Sequence, residues 1–246
     1  MEEISIIIPS RLGSTRLPDK PLKKIKNLEM ILHVNDIALK SNIGKVYVAT
    51  PDEKIINIVR DHGGEAVKTN FNHKTGTDRI FEVFKDFLKE KSKIIINLQG
   101  DMPNLDPVNL KILAQHMKKN LCDIGTLASK LESENDNTNQ NIVKVQTKDL
   151  ITNNKFSEAE DFYRIDKSKK EKIYHHIGIY AFTANSLSKF VNFKRTDLEI
   201  NRKLEQMRAM ENNMKIHVGY TESCPLSVDT EEDLSKVKKI MEKYEK

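Results

Sequence analysis

Short apolar runs that alternate with helical stretches set the frame for this chain. Ile4 to Ile8 is a β-branched run that stops at Pro9. Lys45 to Ala49, Glu65 to Lys68 and Lys93 to Leu98 repeat the pattern, the last with three successive isoleucines. Between and after them, Met30 to Leu39, Lys54 to His62, Thr77 to Leu88 and Asp106 to Lys118 carry apolar residues at helical spacing. Runs that are apolar on both faces belong in a parallel sheet covered by helices, so the rhythm predicts an α/β fold with a mostly parallel central sheet. Ligands in such sheets sit at the carboxyl ends of the strands. Two segments fall there, Pro9 to Lys20 and Gln99 to Pro103.

The second half is less regular. Asp123 to Lys130 and Ile142 to Thr147 read as strands joined by a polar loop, Glu132 to Asn141. Asn153 to Lys172 is charged and has no clear period. Ile177 to Phe182 and Lys215 to Gly219 read as strands, Ser186 to Val191 and Leu198 to Met210 as helices. Glu231 to Met241 reads as a closing helix that Asp229-Thr230 could cap. The 246 residues suit one domain, 1–246, with an elaboration near 153–214 that covers a substrate or serves a dimer.

Composition narrows the class. A net charge of +5 suits a polyanionic ligand. The lysines are scattered and tryptophan is absent, so nucleic acid is not expected as a partner. Cys122 and Cys224 show neither zinc-type spacing nor a disulfide framework. The start of the chain does not read as a secretory leader, and no apolar run reaches the length of a membrane span. A soluble cytoplasmic protein with no membrane insertion is the expectation.

The loop after the first run, PSRLGSTRLPDKPL, holds Arg11, Arg16 and Lys20 among Ser14, Thr15 and the flexible Gly13. Hydroxyls, backbone N–H groups and cations together are what a triphosphate needs. The loop is neither a Walker A motif nor a dinucleotide fingerprint. The residues alone leave two readings, a phosphate loop or a basic surface loop. Asp101 follows the strongest strand directly and could be a metal ligand or a turn residue. Asp229 could be its partner on Mg²⁺, which prefers an oxygen shell, or a helix cap. In HKTGTDR, Thr77 and Asp78 could cap a helix, with Arg79 in its first turn. A cation there is unfavourable unless an anion or Glu82 answers it.

Together these segments resemble the 3-deoxy-manno-octulosonate cytidylyltransferase family. The matching pieces are IIIPSRLGSTRLPDKPL (6–22), YVAT (47–50), HKTGTDR (73–79), NLQGDMP (97–103), HIGIYAF (176–182), LEQMR (204–208), KIHVG (215–219) and SVDTEEDL (227–234). They follow the family's order over nearly the whole chain. The resemblance implies a Rossmann-like nucleotide-diphospho-sugar transferase fold and a homodimer, with Leu204 to His217 at the contact. It implies transfer of CMP from CTP to the sugar acid, with pyrophosphate released, for lipopolysaccharide synthesis. Pro9, Arg11, Ser14, Thr15, Arg16, Lys20, Thr77, Arg79 and Gln99 would bind the nucleotide, with Lys20, Arg11 and Asp101 catalytic. Asp101 and Asp229 would hold Mg²⁺. Gln99, His176, Tyr180, Glu205 and Gln206 would bind the sugar acid.

Two departures stand out. Met102 replaces a glutamate usual in this family. Glu158 stands, by spacing, where an arginine is usual, and the stretch 159–174 is shorter than usual. An acid there could face an amino group, as on an 8-amino analogue of the sugar, or could lie in a variable surface loop with Arg164 supplying a cation. A nucleotide-binding relative without catalysis is a further alternative, which the presence of Arg11, Lys20, Asp101 and Asp229 opposes.

Overall fold

A computed structural model describes residues 3–119, 121–133, 136, 139–153, 155–165, 171–222 and 224–243. The chain divides into two compact units: Met1–Lys111 with Pro225–Lys246, and Ile112–Cys224. The expected elaboration at 153–214 lies inside the second.

The first unit begins with β1 (Ile4–Pro9), followed by a single 3₁₀ turn (Lys20–Leu22) and a small β2–β3 hairpin (Lys24–Ile25, Leu28–Glu29). Then come α1 (Met30–Ser41), β4 (Lys45–Thr50), α2 (Glu53–Asp61), β5 (Ala66–Lys68), α3 (Gly76–Glu82), β6 (Ile94–Asn97) and α4 (Pro107–Lys118), whose later turns belong to the second unit. The strands pair in the order β5-β4-β1-β6, all parallel, as the apolar runs predict. The chain winds outward from β1 to β4 and β5, then returns to place β6 on the other side of β1. That reversal opens a crevice at the strand ends. With Ile7 opposite Asn97, the loop after Pro9 and the loop after Leu98 emerge side by side.

The closing helix, Glu231–Lys243, completes this unit. Its Leu234 and Val237 pack with Leu17, Ile25, Met30 and Val228 into a buried cluster. Leu17 and Val228 are fully buried, each worth roughly 1.5–3 kcal/mol of apolar transfer. This cluster pins the middle of the loop after β1 against the segment that carries Asp229.

The second unit contains β7 (Ile124–Ser129), β8 (Lys144–Thr147), β9 (Phe156–Tyr163), β10 (Ile173–Thr183) and β11 (Ile216–Tyr220), with short helices α5 (Ala184–Asn192), α6 (Asp197–Arg202) and α7 (Met207–Glu211). The pairing order is β10-β7-β11-β9-β8, and β10 also pairs β8, so the pairings form a closed circuit. Of these pairings among the described residues, only β11–β7 is parallel. The charged stretch that showed no period therefore contains a strand, 156–163: burial alternates through its first half, with Ser157 and Ala159 inward and Glu160 outward, and Phe162 and Tyr163 are both buried. The helix expected over 198–210 is two helices broken at Leu204-Glu205-Gln206, where Lys203 adopts a left-handed φ of 55°. Part of the expected surface loop, 166–170, lies outside the described residues.

Candidate active site

Three charged groups meet where the crevice of the first unit opens. The Lys20 ammonium donates to Asp101 Oδ2 at 2.8 Å and to Asp229 Oδ1 at 3.0 Å. Arg16 reaches the other Asp229 oxygen at 3.0 Å. Each group is placed by its own element. Lys20 opens the 3₁₀ turn three residues after the buried Leu17, and Asp101 follows β6. Asp229 follows the buried Val228, whose N–H donates to the Asp101 carbonyl at 2.9 Å. Burial alone would push the Lys20 ammonium down in pKa; the two carboxylates outweigh it and raise it. Burial would raise Asp229, but Lys20 and then Arg16 hold it below the usual carboxylate range.

The cap reading of Asp229 is answered by its neighbour. Thr230 Oγ1 accepts from Asp233 N, and Asp233 Oδ2 accepts from Thr230 N, so Thr230 and Asp233 cap the closing helix. The Asp229 carboxylate is left for Lys20 and Arg16. Asp101 Oδ1 is buried with no hydrogen-bond partner. Two carboxylates, one with an orphaned buried oxygen, fit the oxygen-donor shell of Mg²⁺.

Beside this triad opens a cavity of about 330 Å³. Arg11, Ser14, Thr15, Arg16 and Lys20 line one side, with Arg79, Gln99 and Asp101 on others. Ser14 Oγ accepts from Leu17 N, and Asp52 Oδ2 accepts from Leu12 N at 2.9 Å, so the loop is braced from within and from the end of β4. Gly100 lets the two loops approach closely: a Cβ there would come to 3.2 Å from the Pro9 carbonyl oxygen. Gln99 donates to Asn97 Oδ1 at 3.0 Å, which fixes its amide at the rim.

Arg79 lines this cavity too. It is buried, and its guanidinium donates to Thr69 Oγ1 and to the Asn70 carbonyl. Burial and then the nearby positive charge of Arg11 lower its pKa. Two like charges directed at one cavity gain from an anion placed between them. Thr77 is not at the cavity: it is buried, and its hydroxyl accepts from Asn97 Nδ2. Nor does it cap α3. Thr75 does, in a capping box with Asp78, because the helix starts at Gly76 rather than Thr77. Sequence reasoning missed Ser10, His73, Lys74 and Thr75, which line the same cavity. The spacing Thr75-x-x-Asp78 was the available signal.

Of the residues assigned to the sugar acid, Gln99 lies in the first unit and the other four lie in the second. His176 is buried on β10, with Nε2 3.0 Å from Thr126 Oγ1, and its ring packs near Tyr180 at 5.4 Å. Burial holds its imidazole down to about 3. Burial and then the charge of Glu205 raise the Tyr180 phenol. Gln206 is buried at the start of α7. Glu199 and Arg208 form a buried pair beside this group, with Arg208 Nη2 2.7 Å from Glu199 Oε1 and its guanidinium over Phe190 at 4.7 Å. Glu158 sits on β9 opposite His217 and binds Lys148 Nζ at 2.8 Å. Met102 is buried, as its apolar side chain requires.

Comparisons with known proteins identify the relatives of this chain. The profile of the family described as Cytidylyltransferase matches residues 5–216. The 3-deoxy-manno-octulosonate cytidylyltransferase of Bartonella henselae is 41% identical, covering 96% of this chain and 97% of that protein. The enzyme of the same name from Brucella abortus is 39% identical over 94% and 93% of the two chains. The solved structure of CMP:2-keto-3-deoxy-manno-octonic acid synthetase complexed with CTP superposes at a TM-score of 0.89, with 32% identity, 98% of this chain and 99% of that one. A 4-diphosphocytidyl-2C-methyl-D-erythritol synthase from Anaerococcus prevotii, 16% identical at a TM-score of 0.65, shares the fold alone. No helix among the described residues is long and apolar enough to cross a membrane. With a family profile over residues 5–216 and relatives about 40% identical over nearly its whole length, the chain belongs to the cytidylyltransferases, in the 3-deoxy-manno-octulosonate cytidylyltransferase family.

Proposed function

We propose that this chain transfers CMP from CTP to 3-deoxy-manno-octulosonate and releases pyrophosphate, in the cytoplasm, as a step of lipopolysaccharide synthesis. The observation that carries the reading is the Lys20 ammonium bridging Asp101 and Asp229 beside an arginine-lined cavity. The cavity receives the triphosphate. Arg11, Arg16 and the hydroxyls of Ser14 and Thr15 hold its oxygens, and Arg79 supplies fixed positive charge from behind. Asp101 and Asp229 would hold Mg²⁺, which supplies charge neutralisation at the α-phosphate when bound. The attacking group is the anomeric hydroxyl of the sugar acid, which adds to the α-phosphorus as the bond to pyrophosphate breaks. Lys20 and the arginines offset the charge that grows on pyrophosphate. No protein nucleophile is required.

His176, Tyr180, Glu205 and Gln206 are assigned to the sugar acid, and Leu204 to His217 to a homodimer contact. The amino-substituted acceptor is the weaker reading, because the Glu158 carboxylate is already matched by Lys148, just past the end of β8. Pyrophosphate release is to be measured with CTP, UTP, ATP and GTP, each with 3-deoxy-manno-octulosonate and with its 8-amino analogue, with and without Mg²⁺. Turnover restricted to CTP, Mg²⁺ and the unsubstituted acid is expected. Preference for the amino analogue would reverse the acceptor assignment, and no release with any pair would remove the activity.

A further inference from the structure

Away from the cation-lined cavity, the second unit gathers three side chains that their spacing gives no reason to join. His116 stands in the last turn of α4, Cys122 in the link to β7, and His217 in β11. One donor atom from each lies within 4.8 Å of the other two. His116 Nε2 is 3.0 Å from His217 Nδ1, and the buried Cys122 thiol donates to Met117 Sδ at 3.6 Å. The His116 ring is held flat against Phe156, with centroids 3.7 Å apart and planes 4° from parallel. Phe156 has that place because Gly219 has no side chain: a Cβ there would meet the Phe156 ring at 2.3 Å. Gly125 makes room in the same way for Met117 Sδ, which a Cβ would meet at 2.8 Å.

We propose that His116, Cys122 and His217 form a second metal site, for a thiophilic divalent cation of the zinc class, separate from the carboxylate pair. The donor set selects the ion: two imidazoles and a thiolate suit zinc and are poor ligands for magnesium. A tetrahedral shell with bonds of about 2.0 Å to nitrogen and about 2.3 Å to sulfur places its donors roughly 3.3–3.6 Å apart. The two imidazole nitrogens, 3.0 Å apart, therefore part by a few tenths of an ångström, and the sulfur moves in by up to roughly 1 Å. Burial, with His217 and then Lys119 adding, holds His116 down to about 4, so protons do not compete for its lone pairs at neutral pH. Burial pushes the Cys122 thiol up to about 12, so the entering cation must displace its proton to solvent. The hydrogen bond between the imidazoles breaks as the cation enters, and its proton moves to the other nitrogen of its own ring. His217 is half-buried, the most accessible of the three. Once bound, the ion ties α4, the link and β11 together.

The test titrates the chelator-treated full chain with Co²⁺ in excess Mg²⁺, which fills the carboxylate pair. One equivalent is expected to bind with a thiolate-to-cobalt charge-transfer absorption, which Zn²⁺ abolishes by displacement. Cys122→Ser removes that absorption, and Cys224→Ser keeps it. His217→Gln, at the half-exposed ligand, weakens cobalt binding at least ten-fold and stands in should Cys122→Ser fail to fold. Zn²⁺ raises the melting temperature of the parent chain and leaves that of His217→Gln unchanged. Absence of the absorption at millimolar cobalt, its persistence in Cys122→Ser, or unweakened binding by His217→Gln overturns the site.

Discussion

Two ion-pair clusters in this chain are built from the same kinds of groups and serve opposite ends. In the first unit, Lys20, Asp101 and Asp229 remain 17%, 21% and 39% exposed at the edge of a cavity. In the second, Arg208 and Glu199 are 3% and 2% exposed, and Arg195 adds a further contact at 2.9 Å. A half-open cluster can exchange partners with an incoming anion or cation. A sealed one cannot, and its loss leaves a charge stranded in a low dielectric. The difference separates a site from a strut, although a list of ion pairs would rank the two alike.

The largest effect is expected from Asp101→Asn, which keeps the volume and removes one carboxylate charge. Turnover should fall by about 10³-fold, on the order of 4 kcal/mol, while the melting temperature stays near that of the parent. Near-normal pyrophosphate release would deny Asp101 its role. Glu199→Gln should do the reverse. It leaves Arg208 buried and short of a counter-charge, and urea denaturation should show a loss of about 3 kcal/mol. A loss below 1 kcal/mol would show the sealed pair to be no strut.

Leu17→Ala tests whether the apolar cluster positions the charged one. It should cost roughly 2–3 kcal/mol and also lower kcat, because Lys20 follows Leu17 by three residues. A stability loss without a rate loss would uncouple them. Acid should then distinguish the units. His176 is held neutral by burial with its pKa down to about 3. Its contribution is complete above about 6.5 and is lost as pH falls toward 3, by up to about 1.4 kcal/mol per pH unit. Asp229, held below the usual carboxylate range, keeps its charge over most of that span. Hydrogen exchange between pH 7 and 4 should therefore loosen the second unit first, and His176→Gln should flatten the trend. The smallest effect is expected at Glu158→Gln, where an exposed pair with Lys148 is lost. Stability should change by less than about 1 kcal/mol and acceptor choice should not change.

Legibility followed locality. Arg11, Arg16, Lys20 and Asp101 could be read because each sits within a few residues of a strand end, and strand ends are marked by apolar runs. Asp229 was ambiguous because a cap and a ligand have the same sequence neighbours. Only the bond from Thr230 to Asp233 resolves it. The strand at 156–163 was hidden by its charges, which stand on the outward face of a unit whose pairings are antiparallel. His176, Tyr180, Glu205 and Gln206 were legible only by resemblance, since nothing in their spacing brings them together. His116, Cys122 and His217 were not legible at all. Their meeting depends on a helix end and a strand that are 101 positions apart.

The first unit is discontinuous: Asp229 and the helix after it arrive more than a hundred residues after Lys111. A ribosome therefore finishes the intervening unit before it delivers the second carboxylate. Lys20 and Asp101 must wait, exposed to water, until Asp229 follows. A nascent chain that has not yet reached Asp229 lacks half of the carboxylate pair, so the Lys20 bridge closes only after the second unit has been made.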